Sequence, residues 1–329
     1  MNDNAIGRRT FLKGTGIAVL GAAGALEPQA GRADQPAPNS SGTEAPKLKA
    51  PASACDCHMH VYDGDRFPPS RPQSRMQSNA RAAEYRLLQQ RIGTTRTVVV
   101  SPAAYGTDNR VTLDAIAQLG NARGVAVVHP TVTDAELKVF AQGGIRGIRF
   151  TQFDPRTATT TFDMIEPLAK RVNDLGWHVQ IHMRGDQIVD AASLWDRLPC
   201  PIVFDHLGRL PQPAGVDDPA FKTIQRLLDK GRTWVKVSGA YLDTKVGPPS
   251  YADVTKVAQA FVKAAPERMV GQRLAAPERA AEAGRRRAAR PAVRMGAGRA
   301  DAPPHPGGES AGAVRVCEGG LTRGRWLEA

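Results

Sequence analysis

Short apolar segments alternate with longer amphipathic ones across residues 53–270, and this alternation constrains the fold more than any other feature of the chain. The apolar segments are rich in Val and Ile and nearly continuous, as expected for strands that are buried on both faces. The predicted strands are Ala54–His60, Arg96–Ser101, Gly124–His129, Gly147–Thr151, His178–Met183, Pro201–His206 and Thr233–Ser238. The amphipathic segments between them predict helices near 80–91, 109–119, 133–142, 161–175, 187–197, 217–230 and 251–264.

The repeated strand–helix order predicts an α/β fold built around a parallel sheet. A (β/α)8 TIM barrel takes about 250 residues, and residues 53–270 come close to that length. An open, doubly wound sheet is the alternative. Its dinucleotide-binding version is disfavoured, because no G-x-G-x-x-G sequence follows the first predicted strand.

The chain begins with a segment that resembles a twin-arginine export signal. Arg8 and Arg9 precede Lys13 and then a weakly apolar run, which is too short to remain as a permanent membrane anchor. We expect residues 1–33 to be this signal peptide and residues 34–52, rich in Pro, Ser, Ala and Lys, to be a linker. The mature protein would then be periplasmic or secreted, with the twin-arginine export machinery as its partner during export.

The formal net charge of +12 does not by itself indicate a nucleic-acid partner. Aromatic residues make up 5% of the chain, and no basic stripe with interleaved aromatic residues is present. Beyond the first 30 positions, no run of 18 uncharged apolar residues occurs, which excludes a polytopic membrane protein.

Five of the seven histidines fall at the carboxyl ends of predicted strands, and four of them are candidates for the site, since His129 before Pro130 is more simply structural. His58 and His60 close the first strand and, being two residues apart, face the same side of it. His182 closes the fifth strand, and His206 follows Asp205 at the end of the sixth. Active sites of (β/α)8 barrels lie at this end, and imidazole suits Zn²⁺ and similar ions that activate water and polarise carbonyl groups. We predict that these imidazoles converge, although each alone could be a hydrogen-bonded core residue.

Cationic and hydroxyl side chains are predicted around the same strand ends, as a site for carboxylates requires. Arginine binds a carboxylate through two parallel hydrogen bonds, whereas the alternative for each residue is a solvated loop charge. The candidate substrate-binding residues are Tyr105, Arg149, Arg184, Arg209, Lys236 and Ser238.

Six motifs occur in order along residues 53–270. They are D-C-H-M-H-V at 56–61, Y-G-T-D-N at 105–109, G-I-R-F at 147–150, W-H-V-Q-I-H at 177–182, F-D-H-L-G-R at 204–209 and K-V-S-G-A-Y at 236–241. Together they resemble the amidohydrolase-related family, in particular its branch of 2-pyrone-4,6-dicarboxylate lactonases.

This resemblance implies a (β/α)8 barrel that hydrolyses esters, lactones or amides, with decarboxylases among the relatives. It assigns His58, His60 and His182 to holding a metal ion or the substrate carbonyl, and it gives His206 an assisting role. No Lys or Glu closes the fourth strand, where two-metal relatives keep a bridging ligand. At most one divalent ion is therefore expected, with zinc favoured. Lactonases of this branch are thought to act without a metal, which leaves a metal-independent site as the alternative.

The similarity ends at Val270. In the family, the eighth strand closes with an Asp that activates the attacking water, typically within W-G-S-D-W-P-H-P. Here Ala, Gly, Arg and Pro supply 40 of the last 59 residues, and hydrophobic periodicity disappears. Codons allowed for Gly271–Ala280, with two nucleotides restored in front of them, can encode that family motif. We infer a two-nucleotide loss, with a natural low-complexity tail as the alternative. The last strand and its helix would then be lost, and residues 271–329 would form an aberrant, disordered tail.

Three functions remain open from the sequence. The first is a secreted hydrolase in which water attacks the carbonyl of a carboxylated lactone or ester, such as 2-pyrone-4,6-dicarboxylate. The second is a decarboxylase on the same barrel. The third is an inactive product of the altered reading frame, because the Asp expected at the end of the eighth strand is absent.

Overall fold

The computed structural model describes residues 46, 50–51, 53–70, 74, 76, 80–248 and 250–271. The predicted signal peptide and the tail from residue 272 onward lie outside these described residues, as does most of the predicted linker. What we expect of those three segments therefore stays a prediction.

Eight parallel strands form one sheet in which each strand lies beside its neighbours in sequence. The last strand comes back into contact with the first, so the sheet is nearly closed into a barrel. This confirms the predicted α/β barrel. The strands are β1 (Cys55–Met59), β2 (Arg96–Val100), β3 (Ala122–Ala126), β4 (Ile145–Thr151), β5 (His178–His182), β6 (Ile202–Phe204), β7 (Thr233–Val237) and β8 (Met269–Gly271).

Helices of the outer layer connect the strands. They are α1 (Ala82–Ile92), α2 (Arg110–Leu119), α3 (Asp134–Gln142), α4 (Ile165–Asn173), α5 (Gly185–Asp190), α6 (Ala192–Arg197), α7 (Pro219–Asp229) and α8 (Ala252–Ala264). The single helix predicted over 187–197 is two helices, because the indole of Trp195 donates to the Ile188 carbonyl at 2.8 Å, and a continuous helix would use that carbonyl itself. Within the described residues, none of the helices is both long and apolar enough to cross a membrane.

Helix α7 shows how the outer layer positions the site. Pro219 begins the helix, and the Asp218 carboxylate accepts a hydrogen bond from the backbone N–H of Ala220 at 2.8 Å. One face of the helix then packs on the barrel, and Ile224 reaches the turn after β6, where it leaves no room for a Cβ at Gly208. The buried residues of this face recur at helical spacing: Ala220, Phe221, Ile224, Leu227 and Leu228.

Strand β8 is present, so the expectation that the last strand would be lost is wrong. The strand is three residues long and pairs in parallel with β7. Met269 and Val270 are buried and precede the change in composition, which explains why this strand still forms. The helix expected after it falls within residues 272–329, outside the described part of the chain.

Candidate active site

Both histidines of the first strand lie at the carboxyl end of β1, as predicted. His58 is fully buried, and its Nε2 lies 3.2 Å from Nε2 of His60. The Nδ1 of His60 lies 2.7 Å from the carbonyl oxygen of Val100, at the end of β2. Since a carbonyl oxygen only accepts, His60 carries its proton on Nδ1, and its Nε2 presents a lone pair toward His58.

The chain turns sharply after β6, and this turn supplies three residues to the site. His206, Leu207, Gly208 and Arg209 all have positive φ, between 50° and 68°. Only glycine adopts this region without cost, so the surrounding structure must hold the other three residues there. The turn directs Asp205, His206 and Arg209 toward the same end of the barrel.

Asp205 lies at the centre of the site, although no separate role is predicted for it from the sequence. Its Oδ2 accepts hydrogen bonds from Arg149 at 2.9 and 3.0 Å and from Gln180 at 3.1 Å. Its Oδ1 lies 3.3 Å from Nδ1 of His58 and 3.6 Å from Nζ of Lys236, and no described residue forms a hydrogen bond with it. The carboxylate is fully buried, so these neighbours must offset the cost of burying its charge. We call these residues the Asp205 cluster: Asp205, His58, Arg149, Gln180 and Lys236.

Lys236 lies on β7 and uses all three of its protons. Its Nζ lies 2.7 Å from Oε1 of Gln180, 3.0 Å from Nδ1 of His58 and 3.1 Å from the carbonyl oxygen of Cys57. An ammonium group donates and cannot accept, so His58 accepts at Nδ1 and carries its own proton on Nε2, which donates to His60. The Gln180 amide is oriented by the same contacts, because its oxygen faces the ammonium group and its nitrogen faces the buried carboxylate.

His206 and His182 complete a group of four imidazoles. The ring centroid of His206 lies 5.2 Å from that of His58 and 5.3 Å from that of His182. The Nδ1 of His206 lies 3.0 Å from Oγ of Ser238, and a Cβ added at Gly239 would come within 3.1 Å of the same nitrogen. The hydroxyl and the close approach of the glycine together fix the orientation of this ring.

Arg209 orients His182 from the rim of the barrel. Its Nη1 lies 3.0 Å from Nε2 of His182, while its Nε and Nη2 bind Asp243 at 2.7 and 2.8 Å. A guanidinium group only donates, so His182 carries its proton on Nδ1, which is buried and has no hydrogen-bond partner in the described part of the chain. Phe153 stacks on the His182 ring at 5.6 Å, and the guanidinium carbon lies 3.9 Å from the Phe153 centroid.

Burial keeps the four imidazoles neutral. It lowers the pKa of His60 to about 4 and the pKa of His206 to about 3. It also holds the pKa values of His58 and His182 well below 6.5, and nearby cations add to the effect. Burial alone would raise the pKa of Asp205, but the neighbouring guanidinium, imidazole and ammonium groups outweigh it and hold that pKa well below its usual range. The site therefore combines an ionised carboxylate with uncharged imidazoles.

Residues 55–270, more than half of the chain, match the sequence model of the Amidohydrolase family. This protein belongs to that family. The chain is 34% identical over 238 residues to a 2-pyrone-4,6-dicarboxylate hydrolase of Comamonas testosteroni, covering 68% of this chain and 77% of that protein. It is 32% identical over 224 residues to a 4-sulfomuconolactone hydrolase of Hydrogenophaga intermedia, covering 67% and 73%. A crystal structure of an Agrobacterium tumefaciens protein superposes with a TM-score of 0.69 at 25% identity, covering 78% of this chain and 91% of that one.

Two of the predicted substrate-binding residues of this amidohydrolase make their bonds outside the group of imidazoles. Tyr105 is fully buried, and its hydroxyl accepts a hydrogen bond from the backbone N–H of Asp63 at 2.9 Å. Arg184 pairs with Asp186 at 2.9 Å and donates to the Phe153 carbonyl at 2.8 Å. Arg184 therefore supports the ring that stacks on an imidazole. The predicted residues that the structure does bring to the imidazoles are Arg149, Arg209, Lys236 and Ser238.

Three donor side chains lie close enough together to form a possible metal site in this amidohydrolase. One ligand atom from each of His58, Asp205 and His206 lies within 4.8 Å of the others, and all three residues are buried. This group shares only His58 with the predicted ligands His58, His60 and His182. The one lone pair of His58 accepts a hydrogen bond from the Lys236 ammonium group. The three side chains therefore do not fit an ion while Lys236 is charged and in place.

Three further residues shape the site, although the sequence did not single them out. Gln180 precedes His182 by two residues, and alternate residues of a strand share a face, so the pattern of β5 contained this signal. Phe153 and Asp243 lie in the loops after β4 and β7. Strand periodicity does not fix the conformation of such loops, so no sequence signal placed these two residues at the site.

Proposed function

We propose that this amidohydrolase hydrolyses a carboxylated lactone of the 2-pyrone-4,6-dicarboxylate type, with water attacking the lactone carbonyl. The two curated relatives are named as hydrolases of a pyrone dicarboxylate and of a sulfomuconolactone. Both substrate names describe cyclic esters that carry acidic groups. The family membership thus supports the reaction class, and the charge of the site supports an anionic substrate.

Positive charge beside neutral imidazoles is the observation that carries this proposal. Arg149, Arg209 and Lys236 lie among four uncharged rings, and carboxylates align both guanidinium groups. The bonds of Arg209 to Asp243 and His182 use three of the five N–H donors that a guanidinium has. The remaining donors are available to a carboxylate of the substrate.

Neutral imidazoles can hold a carbonyl group by donating to its oxygen. The Nδ1–H of His182 is a buried donor that lacks a partner in the structure. A lactone carbonyl oxygen would accept from it, and the same bond would stabilise the negative charge that develops on this oxygen during water attack. Arg209 keeps this donor in place, because its bond to Nε2 of His182 holds the ring proton on Nδ1.

The described residues of the proposed site are poorly suited to activating the attacking water. The imidazoles and Asp205 have lowered pKa values, which make them poor proton acceptors at neutral pH. By resemblance, the family's water-activating Asp would follow β8, and the described part of that strand ends in Gly271. We therefore propose that the chain as encoded binds its substrate but hydrolyses it slowly, and an inactive product is the limiting case.

Zinc is the ion that two imidazoles and a carboxylate favour, and when bound it would polarise the carbonyl group. The His58 lone pair is already engaged by Lys236, so the donor set disagrees with a resident ion. The proposed hydrolysis accordingly has no step that uses a metal. The decarboxylase alternative gains no support from the curated relatives, whose names describe hydrolysis.

The function is tested by comparing 2-pyrone-4,6-dicarboxylate with its dimethyl ester as ligand and substrate of the full chain. We expect the dicarboxylate to bind at least about tenfold more tightly, because each charge-assisted hydrogen bond contributes about 1.5–3 kcal/mol. Arg209→Gln should remove most of this preference. Arg226→Gln on α7, which breaks an exposed pair with Asp196 of α6, is the matched control and should leave the preference unchanged. Equal binding of the acid and the ester by the unmodified chain would contradict the proposal.

We also propose that the twin-arginine signal exports the protein, which the sequence alone supports. Cells that express the full chain should release it from the periplasm, shortened by about 33 residues at the predicted cleavage site. Replacement of Arg8 and Arg9 by Lys should retain the full-length chain in the cytoplasm. Equal export of the two forms would contradict the assignment.

A further inference from the structure

We propose that Lys236 is a built-in cation that keeps metal ions out of this site, and that an uncharged residue at position 236 would open a zinc site on His58 and His60. The proposal concerns the resting site and does not depend on which lactone is hydrolysed. It rests on the number of lone pairs available at His58.

A neutral imidazole has one N–H group and one lone pair. The lone pair of His58 accepts from the Lys236 ammonium group at 3.0 Å, and its N–H group donates to His60 at 3.2 Å. An ion that binds at Nδ1 must displace the ammonium group. An ion that binds at Nε2 requires the proton to move to Nδ1, where it would meet a proton of the ammonium group. Lys236 therefore opposes an ion at either nitrogen.

The rest of the site is already arranged for the other tautomer. If Lys236 is removed, a proton on Nδ1 of His58 can be donated to Oδ1 of Asp205, which lies 3.3 Å away and has no hydrogen-bond partner. The Nε2 atoms of His58 and His60 would then both present lone pairs, 3.2 Å apart. Two nitrogens on one tetrahedral Zn²⁺, at about 2.0–2.1 Å each, are about 3.3–3.4 Å apart. The two histidines thus have the spacing of zinc ligands, and the ammonium group prevents that use.

Charge acts in the same direction. A divalent ion at His58 would lie beside the Lys236 ammonium group and near the Arg149 guanidinium group, which already share the single negative charge of Asp205. Repulsion between cations at such short separations is strong in a buried site, where screening by solvent is weak. Loss of the lysine charge removes one of the two repelling groups.

The test is zinc binding to the full chain, measured by calorimetric titration and by metal content after dialysis. Lys236→Met keeps the length of the side chain and removes its charge and donors, and Lys236→Ala is a second variant. We expect both to bind about one zinc per chain, at least about a hundredfold more tightly than the unmodified protein does. Adding His58→Gln to Lys236→Met should abolish that binding. Lys222→Met, at an exposed position of α7, is the matched control and should behave like the unmodified protein.

Three results would overturn the proposal: tight zinc binding by the unmodified chain, no zinc binding by correctly folded Lys236 variants, or binding that survives His58→Gln. A measurement on the unmodified protein covers the case in which neither Lys236 variant folds. Nitrogen-15 NMR of the histidine rings in metal-free protein should show the His58 proton on Nε2 and the His60 proton on Nδ1. A His58 proton on Nδ1 would contradict the proposal without any variant.

Discussion

Strands β6 and β8 end in opposite ways. The end of β6 leads into the left-handed turn that delivers Asp205, His206 and Arg209 to the site, and each of them has several partners there. The end of β8 supplies Met269 and Val270 to the core and stops at Gly271, the last residue that the structure describes. The end of β6 carries much of the proposed recognition chemistry, whereas the described part of β8 contributes only packing.

In the proposed function, substrate recognition and water activation are therefore separable in this barrel. The groups proposed to hold the carbonyl and the carboxylates come from β1, β4, β5, β6 and β7, and among the described residues they bond to one another without any side chain from β8. A change confined to the sequence after Val270 can therefore remove the catalytic base and leave the recognition half in place.

Charge removal at the end of β6 should have the largest effect on stability. Asp205→Asn leaves Arg149 and Lys236 buried without their counter-ion, which should lower the free energy of unfolding by about 3–5 kcal/mol. The matched control is Asp186→Asn, whose exposed pair with Arg184 should contribute less than about 1 kcal/mol. Urea denaturation at pH 7 measures both. Similar losses of stability in the two variants would show that the Asp205 cluster does not stabilise the end of β6.

The free energy of unfolding should decrease as the pH falls below 6.5, because the buried histidines of the site are neutral in the folded protein. The folded pKa values of His60 and His206, about 4 and about 3, lie below the ordinary value of 6.5, so the unfolded chain binds more protons below pH 6.5. The stabilisation from neutral burial is fully present above pH 6.5 and falls as the pH decreases toward 4. Each such histidine adds up to about 1.4 kcal/mol per pH unit to this slope.

Urea denaturation at pH 7, 6 and 5 measures the slope. His206→Gln should flatten it, and His129→Gln, at an exposed histidine after β3, should not. An unchanged slope in His206→Gln would mean that burial of this ring at the end of β6 does not govern the response to acid.

The smallest expected effect is the loss of stability when the contact between the turn after β6 and the residue that follows β7 is removed. Ser238→Ala leaves Nδ1 of buried His206 without its partner and should reduce the free energy of unfolding by about 1 kcal/mol. Thr131→Ala removes the same type of contact from exposed His129 and should change the free energy of unfolding by much less. Equal effects of the two substitutions would assign no special role to the buried contact.

Seven of the eight strands could be predicted because they are short runs rich in Val and Ile, and the helices between them each have a buried face. Strand β8 was missed because it is only three residues long and the apolar pattern ends beside it. The convergence of His58, His60, His182 and His206 followed from their positions at strand ends. Asp205 was missed as the centre because its importance depends on Arg149 and Lys236, two residues far away in sequence that only the closed barrel brings to it. The two-helix form of 187–197 was missed because it depends on a side chain that bonds to a backbone carbonyl.

We propose that the recognition half of the site is complete and that water activation is missing. The most direct measurement is the rate of 2-pyrone-4,6-dicarboxylate hydrolysis by two protein chains. One is the chain as encoded, and the other is the product of a gene in which two nucleotides are restored before the Gly271 codon. We predict that the restored chain is faster by at least about 10²–10⁴, the usual contribution of a positioned general base, while the two chains bind the substrate with similar affinity. Equal rates for the two chains would contradict the claim, because the base would then have to come from the residues already present at the ends of β1 to β7.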